Sequence, residues 1–417
     1  MKKSLFAIAA VTAFAGAAQA QSSVTVYGIL DVGYSGAASR TPAVTSTVQG
    51  TGPATVKSQS SSFGQSAESS SRIGFRGTED LGGGTSAFFT AEFGLQPQGT
   101  TWAPNNRQTF VGLAQKGLGK ASIGTQYTAL WLNALNPTDP GAGNNVAGSI
   151  IRPVGVNVSQ DGQGAASTAV TILTTNSFYI ETQRMAGFRL GANYVTNGVD
   201  ASQRASNAIT STSSRLAVAS ATLGGQNDFT GYSISADYTA KNLLVTAAYS
   251  NFRQEQSLLA TSNANQVNWA NAFPSTAVTV GSTSNTKDAQ MYAGAVYDFG
   301  ILKAYANYVN RKITSITNSN NYLSRTGQQL GVRSFITPKI ETWASGGTGR
   351  YSSFGTGEPT ANIVAYQVGA NYYLSKRTNL YTIVGHSQTS SVSGSTVVGA
   401  SGGSAITGYA AGLRHTF

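Results

Sequence analysis

Residues 361–374, ANIVAYQVGANYYL, alternate throughout: Val364, Tyr366, Val368, Ala370, Tyr372 and Leu374 share one face of an extended chain, against Gln367, Gly369 and Asn371 on the other. Side chains along a β-strand point to opposite faces in turn, so this pattern is a strand with one apolar and one polar side. The same period of two recurs in GFRLGANYVT (187–196), GYSISADYTA (231–240), ILKAYANYVNRK (301–312) and ITGYAAGLRHTF (406–417). These runs of about ten residues exceed the five or six usual for strands of soluble sheets and match the span of a transmembrane barrel strand. No stretch after Gln21 reaches eighteen consecutive apolar residues, so no helical span is expected. The chain is 40% hydrophobic, dispersed rather than blocked, and only 10% charged, where about 25% is usual.

The first twenty residues carry Lys2 and Lys3, the apolar run LFAIAAVTAFAGAA, and AQA before Gln21. That order is a secretory signal peptide, residues 1–20, leaving 21–417 as the exported chain. There is no cysteine, which removes disulfides, thiolate nucleophiles and Cys-ligated metals from consideration. The formal net charge is +11, yet the basic residues are scattered singly rather than clustered, so nucleic acid is not an expected partner.

Between the alternating runs, short Gly-, Asp-, Asn-, Lys- and Pro-rich turns fall near 80–84, 116–119, 185–187, 240–242, 299–301, 337–339 and 375–377. Longer polar segments fall near 36–65, 97–105, 130–170, 198–229, 254–288, 314–325, 351–361 and 390–404. Seven short turns and eight long loops give sixteen strands. An even count puts both termini on the short-turn, periplasmic side. The expected fold is all-β: one domain, 21–417, forming a 16-stranded antiparallel transmembrane β-barrel whose apolar face meets outer-membrane lipid and whose polar face lines water.

The most charged short stretch, SRIGFRGTEDLGGG (71–84), is read within this frame. Arg72, Gly74 and Arg76 alternate with Ile73 and Phe75, and TEDLGGG is a hairpin turn whose glycines accept positive φ. It is not a phosphate loop, because TSAFFTAEF after it is another strand and not a helix. Glu79 and Asp80 are adjacent and point to opposite sides, a poor arrangement for acid/base work or chelation. The only histidines are His386 and His415. Neither pairs at ligand spacing or stands near an acid in sequence, so catalysis, a metal site and a cofactor are not expected.

SSVTVYGILDVGYSG, SRIGFRGTEDLGGGTSAFFTAEFGL, RQTFVGLAQKGLGKASIGTQY, YAGAVYDFGILKAYANY, YQVGANYYLSKRTNLYTIVGHSQ and the terminal AAGLRHTF together resemble the general porins of Gram-negative bacteria, in the β-proteobacterial branch. The resemblance implies a homotrimeric diffusion porin, with long extracellular loops of which the third folds inward to form an eyelet. It places Arg72 and Arg107 on the eyelet wall, and segment 130–170 as the inward loop with Asp139, Arg152 and Asp161. It also marks Phe417 as the signal read by the barrel-insertion machinery. Two departures thin the family's positive ladder: Thr125 stands where arginine is common, and Leu173 replaces a basic residue.

Alternation by itself points Arg72, Arg76, Arg189, Lys303, Arg311, Arg333 and Arg414 into the lumen, with Asp31, Glu92, Asp237, Asp298 and Glu341. Charge in a narrow aqueous pore acts through a field focused by low-dielectric walls, and seven positive against five negative charges predict a mild anion preference. The expected function is passive diffusion of small hydrophilic solutes and ions through an outer-membrane pore. Two alternatives remain: a substrate-preferring porin with a weak lumenal site for a sugar or organic anion, and a surface-loop adhesin on a barrel.

Overall fold

The computed structural model describes residues 23–42, 55–99, 104–152, 172–201, 225–256, 286–316, 319–320, 322–353, 360–390 and 403–417. Residues 1–20 and Asp161 lie outside them. Seventeen strand segments run in chain order: β1 (Ser23–Pro42), β2 (Thr55–Gln65), β3 (Arg72–Gly82), β4 (Thr85–Gly94), β5 (Asn105–Gln115), β6 (Gly119–Tyr127), β7 (Leu173–Thr182), β8 (Phe188–Ala201), β9 (Gly225–Ala240), β10 (Leu243–Gln256), β11 (Thr286–Asp298), β12 (Lys303–Ser315), β13 (Tyr322–Thr337), β14 (Ile340–Ser353), β15 (Thr360–Tyr373), β16 (Thr378–Thr389) and β17 (Ala405–Thr416). All pairings are antiparallel; from β3 onward each strand pairs with the next in sequence, β2 and β3 both pair with β1, and β17 returns to β1.

The wall has sixteen strand positions rather than seventeen, because β2 and β3 share one. Residues 32–42 of β1 pair with β2, and residues 23–29 of the same strand pair with β3. The chain leaves the wall between them, at Ser66, which has φ +63°. Much of 36–65, expected as a loop, is therefore a hairpin that continues the barrel wall. Strands β8, β9, β10 and β11 likewise run past the loop bounds read from the sequence. The short turns fall where expected.

Closure leaves no free edge at the seam. Gly28 and Phe417 exchange backbone hydrogen bonds, N to O, at 3.1 Å each way, and twelve registered pairs from Ile29–Thr416 to Arg40–Ala405 continue the ladder. A closed ladder pairs strand N–H and C=O groups with one another across the seam, as a hydrocarbon environment requires. The alternation now has direction. Tyr366 and Val368 are 56% and 53% exposed, whereas Gln367 between them is 2% exposed. Val24, Val26, Val111, Leu113 and Ile123 lie exposed on the same outer surface. His386 stacks on outward Tyr366 at 5.3 Å and His415 shares the outward register of Leu30, so neither histidine faces the lumen.

Candidate functional site: a constriction inside the barrel

After β6 the chain enters the barrel. A helical turn at Trp131–Leu135 runs into another at Asn136–Thr138. Leu130, Trp131, Ala134, Leu135 and Ile151 pack against Ala248, Tyr292 and Val309, apolar residues on the inner face of the wall. Polar bonds then fix the segment strand by strand. The backbone N–H groups of Ala129 and Leu130 donate to Asn193 Oδ1 (3.0 Å) and Ser233 Oγ (2.9 Å). Asn133 Nδ2 donates to Ser235 Oγ (3.0 Å), Asn307 Nδ2 to the Thr138 carbonyl (3.0 Å), and Ile150 N–H to Gln329 Oε1 (2.9 Å). Each such bond contributes roughly 1 kcal/mol net, so the loop is tied to the wall from β8 to β16. It also comes close to β16, where a Cβ on Gly385 would collide with the Ala147 carbonyl oxygen.

The turn at 139–144 is organised from within. Both Asp139 carboxylate oxygens accept backbone N–H groups, from Gly141 (3.0 Å) and Gly143 (3.1 Å). The Arg152 guanidinium lies over the Trp131 ring at 5.7 Å and donates to the Asn144 carbonyl. Burial raises the Asp139 carboxyl against the opposing pull of Arg152. These two charges hold the loop's own fold.

A second inward segment, Ser66–Ser71, meets the tip of this loop. Asn145 donates from its backbone to the Ala67 carbonyl (2.9 Å) and from Nδ2 to the Ser66 carbonyl (2.6 Å). The N–H groups of Glu68 and Ser69 donate to Asp31 Oδ2 at 2.9 and 2.6 Å, and the Tyr381 hydroxyl donates to Asp31 Oδ1 at 2.6 Å. Asp31 is thus a buried anchor. Glu68, itself buried, takes Asn379 Nδ2 at 3.1 Å and lies 3.4 Å from Arg414 Nε. Desolvation raises its carboxyl above the usual carboxylate range, with Arg414 and Asn379 opposing.

The wall β1–β6 carries the cluster that faces the open lumen. Arg107 Nε lies 2.7 Å and Arg72 Nε 3.4 Å from the two oxygens of Glu92. Tyr27 donates to Glu92 Oε2 (3.1 Å), and Arg107 Nη2 donates to the Tyr127 hydroxyl (2.6 Å). Arg107 arrives there through a bulge: Ala91 pairs with Thr109 but Phe93 pairs with Asn106, leaving Arg107 and Gln108 opposite Glu92 alone. The doubled residue turns Arg107 inward, although unbroken alternation would put it outside with Val111 and Leu113.

Apart from Arg76, the remaining lumen charges are ion-paired. Arg189 Nε lies 2.7 Å from Asp237, and Arg333 makes a two-pronged contact with Glu341 at 2.6 and 2.8 Å. Arg333 also donates to the Pro140 carbonyl of the inner loop (3.3 Å). Arg311 grips Asp288 at 3.0 and 2.5 Å. Lys303 lies 3.7 Å from Asp298 at the short-turn mouth, half exposed. Arg76 stacks over Tyr27 at 5.3 Å.

Thr125 pairs with Thr109, two residues along from the exposed pair Val111–Ile123. Its side chain shares their outer face, so no lumen charge is lost by its being threonine. Sequence reasoning missed Tyr27, Tyr127, Glu68 and the inward break at 66–71. Tyr27 was available from its alternation with Val26; the break carries no periodic signal.

A closed barrel narrowed by its own inward loop agrees with comparison to known proteins. The profile of the family described as Gram-negative porin matches residues 7–391. The chain belongs to this porin family. An outer membrane porin of Bordetella pertussis is 32% identical over 208 residues, 46% of this chain and 48% of that relative. Outer membrane porin protein 32 of Delftia acidovorans is 43% identical over 97 residues, 22% of each chain. The porin thus aligns with about half of the first curated relative and less of the second. Among solved structures, the anion-selective porin from Comamonas acidovorans superposes with a TM-score of 0.63 at 20% identity, covering 95% of this chain and 100% of that one. The trimer form of OmpT from Vibrio cholerae gives 0.57 at 13%, covering 95% and 99%. These likenesses establish the shared fold. As a Gram-negative porin the chain is an integral protein of the outer membrane.

Proposed function

We propose that this porin forms a water-filled channel for passive diffusion of small hydrophilic solutes and ions, with a mild preference for anions. One observation carries the reading: on the wall facing the inner loop, two arginines, Arg72 and Arg107, share a single carboxylate, Glu92. The cluster keeps a net positive charge where the lumen is narrowed, and arginine holds that charge at every accessible pH. The loop side offers no compensating anion from Asp139, whose carboxylate serves its own turn. Arg76, Arg189, Lys303, Arg311 and Arg333 act as lumen charges above and below the constriction. The anion-selective porin from Comamonas acidovorans, which shares this fold, supports the same sign.

The chain acts as a homotrimer, a reading supported by the family resemblance and by the trimer named for the Vibrio structure. Phe417 serves as the insertion signal. Its backbone closes the seam with Gly28, and a Cβ at Gly28 would meet its ring, which covers that glycine on the outer face. Residues 1–20 act as the export signal.

Reversal potential in a planar bilayer under a salt gradient tests the channel reading. The expected result is mild anion selectivity that weakens as salt shortens the reach of the lumen charges. Cation preference at low salt sinks it.

A further inference from the structure

The inner face of the wall below the Arg72–Glu92–Arg107 cluster, toward the short turns, is not uniformly polar. Phe88 and Phe110 both point into the lumen, with ring centroids 6.3 Å apart and an edge-on angle of 78°. Register fixes their direction. Phe110 pairs with Thr90, which pairs with Arg76, while Phe88 pairs with Gly112, whose missing side chain makes room for the Phe88 ring. Their neighbours Phe89 and Val111 face outward and are exposed. Two phenylalanines on the water side of a pore strand break the alternation and leave apolar surface facing solvent, which is unfavourable unless something covers it.

These rings form the floor of a cavity of about 490 Å³, with Arg76, Gln108, Lys120 and Tyr179 on its sides. That volume suits a small-molecule site. The two cations differ. Lys120 is committed to Glu181 at 3.2 Å, whereas among the described residues no carboxylate ion-pairs with Arg76, which rests on the Tyr27 ring. Arg76, Thr90 and Phe110 stand in a row across β3, β4 and β5, so Arg76 and Phe110 are about 10 Å apart at the backbone, two strand spacings. A solute with a carboxylate at one end and a ring at the other matches the two ends of this row in kind.

We infer that this recess is a binding site for aromatic monocarboxylates, with the Phe88–Phe110 pair taking the ring edge-on and the Arg76 guanidinium taking the carboxylate. A neutral sugar brings no carboxylate to Arg76, and a short aliphatic acid brings no ring to the Phe88–Phe110 pair. The site rests on the channel reading for its access, and it makes the pore one that retains a class of solute in transit.

The test uses the full-length protein in a planar bilayer carrying chloride current, with sodium benzoate as probe and sodium acetate as comparator. Benzoate is expected to reduce the current with saturation, and acetate at equal concentration is not. The double substitution Phe88→Ala, Phe110→Ala is expected to weaken the block about tenfold while chloride current persists. Acetate blocking as strongly as benzoate overturns the assignment, as does benzoate block unchanged in the double variant. A protein that inserts but passes no chloride overturns the channel reading instead. Equilibrium dialysis of radiolabelled benzoate against the detergent-solubilised protein then decides the site separately: saturable binding, lost in the double variant, upholds it, and its absence overturns it. If the double variant fails to fold, Phe110→Leu keeps the apolar volume and removes the aromatic edge, with the same expected direction.

Discussion

Arg107 Nε sits 2.7 Å from Glu92 Oε1 because β5 carries two residues where β4 carries one. The bulge places a buried-side carboxylate between two guanidiniums, and the balance of that triad sets the sign of the field at the constriction. Arg107→Ala and Arg72→Ala are each expected to shift reversal potential toward cations, and Glu92→Gln toward anions. Single-channel records under a salt gradient check all three. Identical shifts for the arginine and glutamate variants would remove the triad from the selectivity filter.

The approach of the inner loop to β16 depends on the absence of a side chain at Gly385. Gly385→Val forces Ala147 away from the wall, and with it the bond from Gly148 N–H to Ser387 Oγ, now 3.1 Å. Altered, noisier conductance with the barrel still folded is the expected outcome. Unchanged conductance in a folded variant shows that the loop tip does not limit the current.

Arg152 holds the loop's turn from inside. Arg152→Ala leaves the buried Asn144 carbonyl without its donor, a cost of about 1–3 kcal/mol, and uncovers the Trp131 ring. Gel mobility of the unheated protein, followed against temperature, is expected to show a loop-loosened barrel that unfolds at lower temperature. Trp fluorescence should shift to longer wavelength as Trp131 gains water.

The Glu68 carboxyl is raised by burial, which fixes the direction of a pH effect. A raised folded-state pKa means that its contribution to stability is fully present below the unfolded value, about 4.3, and is lost as pH rises through the folded value. Lowering pH from neutrality therefore neutralises Glu68 ahead of ordinary carboxylates and leaves Arg414 without its anionic neighbour. Anion preference is expected to increase in that window, and Glu68→Gln to show the increased preference already at neutral pH with the step abolished. An unaltered titration in the variant assigns the step elsewhere.

Much of this architecture was legible from local rules. Alternation in ANIVAYQVGANYYL assigned Tyr366 to the outside and Gln367 to the inside because a strand's faces are fixed by covalent geometry, whatever it pairs with. Alternation also directed Arg72, Arg189 and Arg333 inward, and the turn residues located the seven hairpins. Phe88 and Phe110 were hidden for the same reason. Where two apolar residues stand side by side, as in Phe88–Phe89 and Phe110–Val111, periodicity cannot say which one meets lipid.

What the sequence determined by itself was the strand rhythm, the barrel class and the side of the wall on which most charges stand, since each follows from a period of two and local turn chemistry. Only the tertiary structure decided the rest. A bulge against Glu92 turned Arg107 from the outer face to the lumen, and a break at 66–71 let two strand segments share one wall position. It also set the Asp139 and Arg152 charges to hold their own loop. These outcomes depend on pairing register and on close approach between segments far apart in the chain, and no local pattern encodes either.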